Sequence, residues 1–128
     1  MLNSRSKGEI GQLKIQIRAT ELGAICSVPT TEVYYDLILD FKHKHKNILR
    51  SQIKYCNRLH GKNLEIRLDN SSSKRIFYQH TDIDLLLIYL PQKDVVLKYE
   101  KQHFHRKKTI QINLINSKSK WYYKHFEW

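Results

Sequence analysis

The sequence predicts a small α/β (α+β) fold, with one leading helix followed by a mixed central sheet of about five or six strands. Three observations carry that expectation. Apolar residues recur at helical spacing near the start. Apolar and polar residues alternate at period two in several later segments. The stretch Ile83 to Leu90 is apolar except for Asp84, as in a strand covered on both faces. The length, 128 residues, fits a single domain over 1–128, in which 100–128 forms a basic and aromatic extension.

The helix is expected from about Lys7 to Leu22. Ser6 and Glu9 have the spacing of a capping box. Ile10, Leu13, Ile17 and Leu22 supply the apolar stripe, Ile15 and Ala19 widen it, and Gly23 supplies the stop. A short strand follows over Ala24–Val28, ended by Pro29. Tyr34–Phe41 and Ile48–Cys56 read as a hairpin whose turn, Lys42–Asn47, alternates Lys and His. Leu64, Ile66 and Leu68 alternate with Glu65 and Arg67, marking a strand with one wet face. Ile83–Leu90 turns at Pro91–Asp94 and returns as Val95–Tyr99, and Thr109–Leu114 alternates again. One further helix fits somewhere after Lys74.

Composition narrows the function. Lys and Arg number 23 against 12 Asp and Glu, a formal charge of +11, so a polyanion is the expected partner. Hydrophobic residues make up 41%, enough for a packed core. No apolar run approaches the roughly 20 residues that cross a bilayer, and the first residues lack the apolar centre of a signal peptide. Cys26 and Cys56 lie far apart and form no CxxC pair, which argues against a zinc site and fits a reducing compartment. The expected location is therefore cytoplasmic, near the nucleoid, with no membrane partner.

Strand periodicity places Arg50, Gln52, Lys54 and Cys56 on one face, and Asp36, Ile38 and Asp40 on one face of the preceding strand. An Asp on one strand and Gln-x-Lys on the next can converge at a sheet edge. Asp36 and Gln52 both offer oxygen to a hard divalent ion such as Mg²⁺, which keeps several waters. Lys54 can orient an attacking water and stabilise charge on a phosphate. The same residues also suit an ordinary solvent-facing sheet surface. His43 and His45 suit a hairpin tip better than a metal site. Lys42, Lys44, Lys46, Lys74, Arg106, Lys107 and Lys108 are candidate phosphate contacts. Arg67, Asn70, Arg75 and Gln79 are candidates for base readout.

Five segments in order resemble the PD-(D/E)xK nuclease superfamily, and more narrowly its group I intron-associated homing endonuclease branch. They are Lys7-Gly8-Glu9-Ile10-Gly11-Gln12-Leu13, Gly23 with Val28-Pro29, Tyr35-Asp36-Leu37-Ile38, Gln52-Ile53-Lys54, and Asp82-Ile83-Asp84 through Leu90-Pro91. The resemblance spans about Lys7 to Tyr99. It implies a restriction-endonuclease-like core and a site-specific DNA endonuclease, with Asp36, Gln52 and Lys54 as the catalytic set and Asp36 and Gln52 on the metal. Mg²⁺ or another divalent ion is then the cofactor, and double-stranded DNA the substrate. A homodimer or homotetramer is expected, because one site cuts one strand.

Two departures accompany the resemblance. Gln52 stands where the superfamily usually has Asp or Glu. Gln12 stands where the branch usually has a helix Glu, so that Glu9 substitutes, the helix ligand is missing, or Gln12 is an engineered replacement. Archaeal-type Holliday-junction resolvases are similar over the helix and hairpin. The alternatives are thus a junction-resolving nuclease or a non-catalytic nucleic-acid-binding module on a nuclease fold.

Overall fold

The chain enters its first helix at Asn3, whose side-chain oxygen accepts the Ser6 N–H at 2.9 Å, in a computed structural model that describes residues 2–42, 48–57, 59–60, 63–68 and 83–128. Helix α1 covers Ser4–Glu21. It starts a turn earlier than the sequence suggested, because Asn3 rather than Ser6 supplies the acceptor that the first N–H groups need. Glu9 therefore sits in the body of the helix, where its carboxylate is 3.8 Å from Arg5. The end is as expected. Gly23 adopts φ +94°, its N–H reaches the Thr20 carbonyl at 3.0 Å, and the Ala24 N–H reaches Ala19 at 3.0 Å. That paired closure needs a left-handed residue, which glycine adopts without strain.

The buried face of α1 departs from the expected stripe. Gly11, Ile15 and Ala19 face inward, while Leu13 and Ile17 are each 60% exposed. The cause is a close helix–sheet approach. A Cβ on Gly11 would lie 3.4 Å from the Tyr55 Cβ, so small residues, and not the largest apolar ones, define the contact.

Five strands form the main sheet: β1 (Ile25–Ser27), β2 (Leu37–Asp40), β3 (Ile48–Tyr55), β6 (Leu85–Leu90) and β7 (Val95–Glu100), in the order β1-β2-β3-β6-β7. β3 and β6 run parallel and the other neighbours antiparallel. Parallel neighbours need a long crossover, and the chain between β3 and β6 includes β4 (Leu59–His60) and β5 (Asn63–Arg67). These two do not extend the main sheet. They join β8 (Thr109–Asn113) in a separate three-stranded sheet, order β4-β5-β8, which corrects the expectation of one sheet. The alternation read in Leu64, Ile66, Ile110 and Ile112 is correct, but their apolar side covers the main sheet instead of continuing it.

The layers are thus α1, the five-stranded sheet and the three-stranded sheet, with a core in each gap. Ile15, Ala19, Leu37, Leu39, Leu85, Leu87 and Tyr89 fill the gap under α1. Leu86, Ile88, Leu90, Leu97 and Tyr99 meet Leu64, Ile66, Ile110 and Ile112 in the other. Every residue of β6 is buried, as its apolar run predicted. Among the described residues, the α-helix after Lys74 is a short turn, α2 (Lys101–Phe104).

The C-terminal segment folds back on this body. Phe126, in a 3₁₀ turn over Tyr123–Phe126, stacks on Tyr99 with ring centroids 4.3 Å apart. The Trp128 N–H bonds the Val96 carbonyl at 2.9 Å, and the Trp128 carbonyl accepts from Arg18 Nε at 2.8 Å. No helix among the described residues is long and apolar enough to cross a membrane.

Candidate active site

Asp36 stands just before β2, where the strand begins to pair with β3. Its N–H donates to the Ser51 carbonyl at 2.8 Å, and its Oδ2 accepts the Ile53 N–H at 2.9 Å. The register Leu37–Ser51 and Ile38–Arg50 therefore carries Asp36 to a position opposite Gln52. On β3, Leu49, Ile53 and Tyr55 pack in the core under α1, so Arg50, Gln52 and Lys54 alternate onto the opposite face. Leu37 and Leu39 are buried in the same core, which puts Asp36 on the face of Gln52 and Lys54. The structure thus brings together the three residues that the strand pattern paired.

The electrostatics of Asp36 fit a carboxylate held half-buried at a sheet edge. Burial pushes its pKa up, while the Ile53 N–H and the positive charge of Lys54 pull the other way, and the net displacement is upward. Both predicted metal residues present oxygen. Such a pair suits a water-rich hard cation such as Mg²⁺, which binds through one or two carboxylates and keeps waters on its remaining positions. Among the described residues, no group of three or more His, Cys, Asp or Glu forms a dedicated cage.

Gln12 and Glu9 ride on α1, which crosses the other face of the sheet. Gln12 is half-buried next to Gly11, whereas Glu9 is exposed and pairs with Arg5.

Asp84 has a different environment. Its backbone N–H donates to the Arg50 carbonyl at 2.8 Å, and its Oδ2 accepts the Arg50 N–H at 2.8 Å. The Arg50 guanidinium lies 3.5 Å from Oδ2 and Lys101 Nζ 3.2 Å from Oδ1. Burial alone would raise the Asp84 pKa, but the Arg50 N–H, the Lys101 hydrogen bond and the two cations outweigh it and hold the carboxyl below its usual range. This carboxylate locks the parallel β3–β6 pair where β6 begins. The strand period placed Arg50 on the Gln52–Lys54 face and assigned no partner to Asp84. It missed that each is the other's partner, because parallel pairing across a long crossover leaves no short-range trace.

The basic candidates fall into three groups. Lys42 is exposed after β2. Arg67, Arg106, Lys107 and Lys108 gather at one end of the three-stranded sheet, since Arg67 pairs with Thr109 and the Leu68 N–H bonds the Lys108 carbonyl at 2.8 Å. Within that group Arg106 and Lys108 are exposed. Lys107 sits 4.4 Å over the Trp121 ring, and burial first, then the nearby Lys120 charge, lowers its pKa. Lys44, Lys46, Asn70, Lys74, Arg75, Gln79 and the His43/His45 pair lie outside the described residues, as does Asp82.

Comparison with known proteins agrees with this geometry. The family model of the PD-(D/E)XK endonucleases matches residues 2–124. Among solved structures, the bacterial homing endonuclease I-Ssp6803I superimposes with a TM-score of 0.76 at 18% identity, covering 99% of this chain and 88% of that one. At that identity the likeness speaks for the fold. A search of curated proteins found no match.

Proposed function

This chain belongs to the PD-(D/E)XK endonuclease family, and from that premise we propose that it is a site-specific, homing-type endonuclease that hydrolyses double-stranded DNA with a divalent ion. The observation that carries the reading is the Asp36–Ile53 hydrogen bond of 2.9 Å. It fixes a half-buried carboxylate opposite Gln52, on the face where Lys54 also projects.

In this reading the Asp36 carboxylate and the Gln52 side-chain carbonyl hold the cation, preferentially Mg²⁺. When bound, the cation lowers the pKa of its water and neutralises charge on the scissile phosphate. The β2–β3 backbone keeps Asp36 fixed while DNA docks. Lys54 orients the attacking water and faces the negative charge that develops on the phosphate oxygens. The P–O3′ bond breaks, leaving a 5′-phosphate and a 3′-hydroxyl. Lys42, Arg106 and Lys108 contact the backbone of the duplex, and Arg67 reaches toward base edges. With one such site per chain, cutting both strands needs at least two copies. The protein acts inside the cell, where its substrate is.

Gln52 also supports a second reading. Its neutral amide contributes less charge to a cation than a carboxylate does, as expected of a DNA-binding module that has lost cleavage. Junction-resolving activity is separated from both by substrate shape.

The test is incubation with a randomised linear duplex library and Mg²⁺, using the chain as it stands, Asp36→Ala, Lys54→Ala and Gln12→Glu. Discrete cuts at a shared sequence, lost in the first two variants, are expected. Cuts confined to branched substrates would replace this reading with the resolvase. Tight binding without cuts in any variant would leave the binding module.

A further inference from the structure

The outer face of the three-stranded sheet carries side chains that the core does not use. Leu64, Ile66, Ile110 and Ile112 turn inward onto the main sheet, so Asn63, Gln111 and Asn113 turn outward by strand alternation. Their amides form one directed chain. The Ile115 and Asn116 N–H groups donate to Asn113 Oδ1 at 3.0 and 2.6 Å. Asn113 Nδ2 donates to Asn63 Oδ1 at 3.0 Å, and Asn63 Nδ2 donates to Gln111 Oε1 at 3.2 Å. A backbone N–H can only donate, so it fixes which end of the Asn113 amide is oxygen, and each amide fixes the next. The chain ends at Gln111, which is exposed. Its Nε2 has no protein partner among the described residues.

We propose that this face reads base edges in the major groove, with Gln111 as an adenine-selecting residue and Asn63 as the residue that positions it. Such readout rests on the duplex partner of the proposed function and adds how one base is chosen. Cys56 continues the alternation of Arg50, Gln52 and Lys54, and it lies in the core shared with the three-stranded sheet. That sheet therefore stands on the same side of the main sheet as Asp36, Gln52 and Lys54. Cys56 Sγ approaches the Glu65 carbonyl at 3.9 Å, which sets β5 over the end of the strand that carries Lys54. Sheets packed face to face lie about 10 Å apart, close to the roughly 8.5 Å depth of the major groove. With a phosphate backbone against the β2–β3 face, the outer face of β5 and β8 reaches the level of the base edges. β4 pairs only with Asn63 and Leu64. Beyond them the sheet narrows to the β5–β8 ribbon that carries Gln111, and the major groove admits a two-stranded ribbon.

The directed chain selects the base. With its oxygen placed by Asn63, the Gln111 amide offers an Nε2–H donor and the second lone pair of Oε1. Adenine presents the matching pair in the major groove, N7 as acceptor and the N6 amino group as donor, whereas guanine presents two acceptors. An amide already held by its neighbour also loses less freedom on binding than a loose side chain does. Both Asn63 and Gln111 lie outside the two cores, so variants at either position are expected to fold normally.

The experiment selects bound duplexes from a randomised linear library with EDTA present, so that enrichment reads binding alone. Cutting of the enriched duplexes is scored separately with Mg²⁺, and circular dichroism verifies folding of each variant. The full chain is expected to enrich a site that requires adenine at one or more positions. Gln111→Ala should lose that preference at one such position by about tenfold or more while the others hold, with the salt dependence of binding unchanged. Gln111→Glu offers acceptors only and should exchange adenine for cytosine at that position. Asn63→Ala should blur the same position and no other. A full chain that enriches no sequence would overturn the proposal. So would a Gln111→Ala chain that keeps every preference, or one that binds all sequences more weakly by the same factor, as loss of a phosphate contact does. A preference lost at guanine would overturn the assignment to adenine. Enriched sites that depend on Gln111 and stay uncut would sink the cleavage reading and uphold the base readout.

Discussion

Burial raises the Asp36 carboxyl, and the Ile53 N–H and Lys54 only partly offset it. Its folded-state pKa stands above the unfolded one, so the folded chain binds that proton more tightly. The corresponding stability is full below the ordinary carboxylate range and is lost as pH rises through the folded value. Asp36→Asn keeps an oxygen for the Ile53 N–H and removes the charge. It is expected to leave the melting temperature at pH 7 equal to or above that of the parent while abolishing cleavage, which calorimetry and a nicking assay check together. Asp84 runs in the opposite sense. Its depressed pKa contributes stability above the unfolded carboxylate value, and that stability is lost as pH falls through the folded one. Asp84→Ala strands the Arg50 N–H and two cations, and urea titration at pH 7 should show a loss of about 1–3 kcal/mol. That loss should shrink toward acid pH. Ser51 is buried with an unpartnered hydroxyl, so Ser51→Ala should be neutral or slightly stabilising.

At the scale of elements, α1 shows where sequence pattern and packing part company. Its glycine stop was legible because φ is a local property, whereas its start was misplaced by a turn because Asn3 and Ser6 both offer an N-terminal acceptor. Its buried face was not legible, because hydrophobicity points to Leu13 and Ile17 while the distance to Tyr55 selects Gly11. Two glycine substitutions separate these effects. No atom lies within 4 Å of a Cβ built on Gly8, so Gly8→Ala should stabilise by about 0.5–1 kcal/mol through helix propensity. Gly11→Leu drives side chain into Tyr55, and should destabilise by about 1–3 kcal/mol as the helix is lifted from β3. Thermal melts of the two variants should move in opposite directions. The hairpin that carries Asp36, Gln52 and Lys54 was legible for a related reason: antiparallel neighbours close in sequence share a period-two pattern. The assignment of β5 and β8 to a second sheet was not, since alternation states that a strand has an apolar side but not which sheet it covers.

For the molecule as a whole, the charge of +11 predicts binding to any duplex that falls steeply with salt. The logarithm of affinity should drop linearly with the logarithm of salt concentration, by about 0.9 per phosphate neutralised. Lys108→Ala should lower that slope by about 1 and weaken all sequences alike, as fluorescence anisotropy across a salt series would show. Arg67→Ala should alter the preference among sequences. The charge excess was legible from composition alone. The gathering of Arg67 with Arg106 and Lys108 was not, because it arises from β5–β8 pairing across more than 40 positions of chain.

The bond from Arg18 Nε to the Trp128 carbonyl ties the first helix to a residue 110 positions later. Proteins are made in one direction, so α1 emerges from the ribosome long before its clamp exists. The strands it rests on, β3 and β6, also arrive late. During synthesis Leu13, Ile17 and the small-residue face are all exposed together until the strands beneath α1 have emerged. Nascent chains arrested before Val96 should therefore remain protease-sensitive throughout α1.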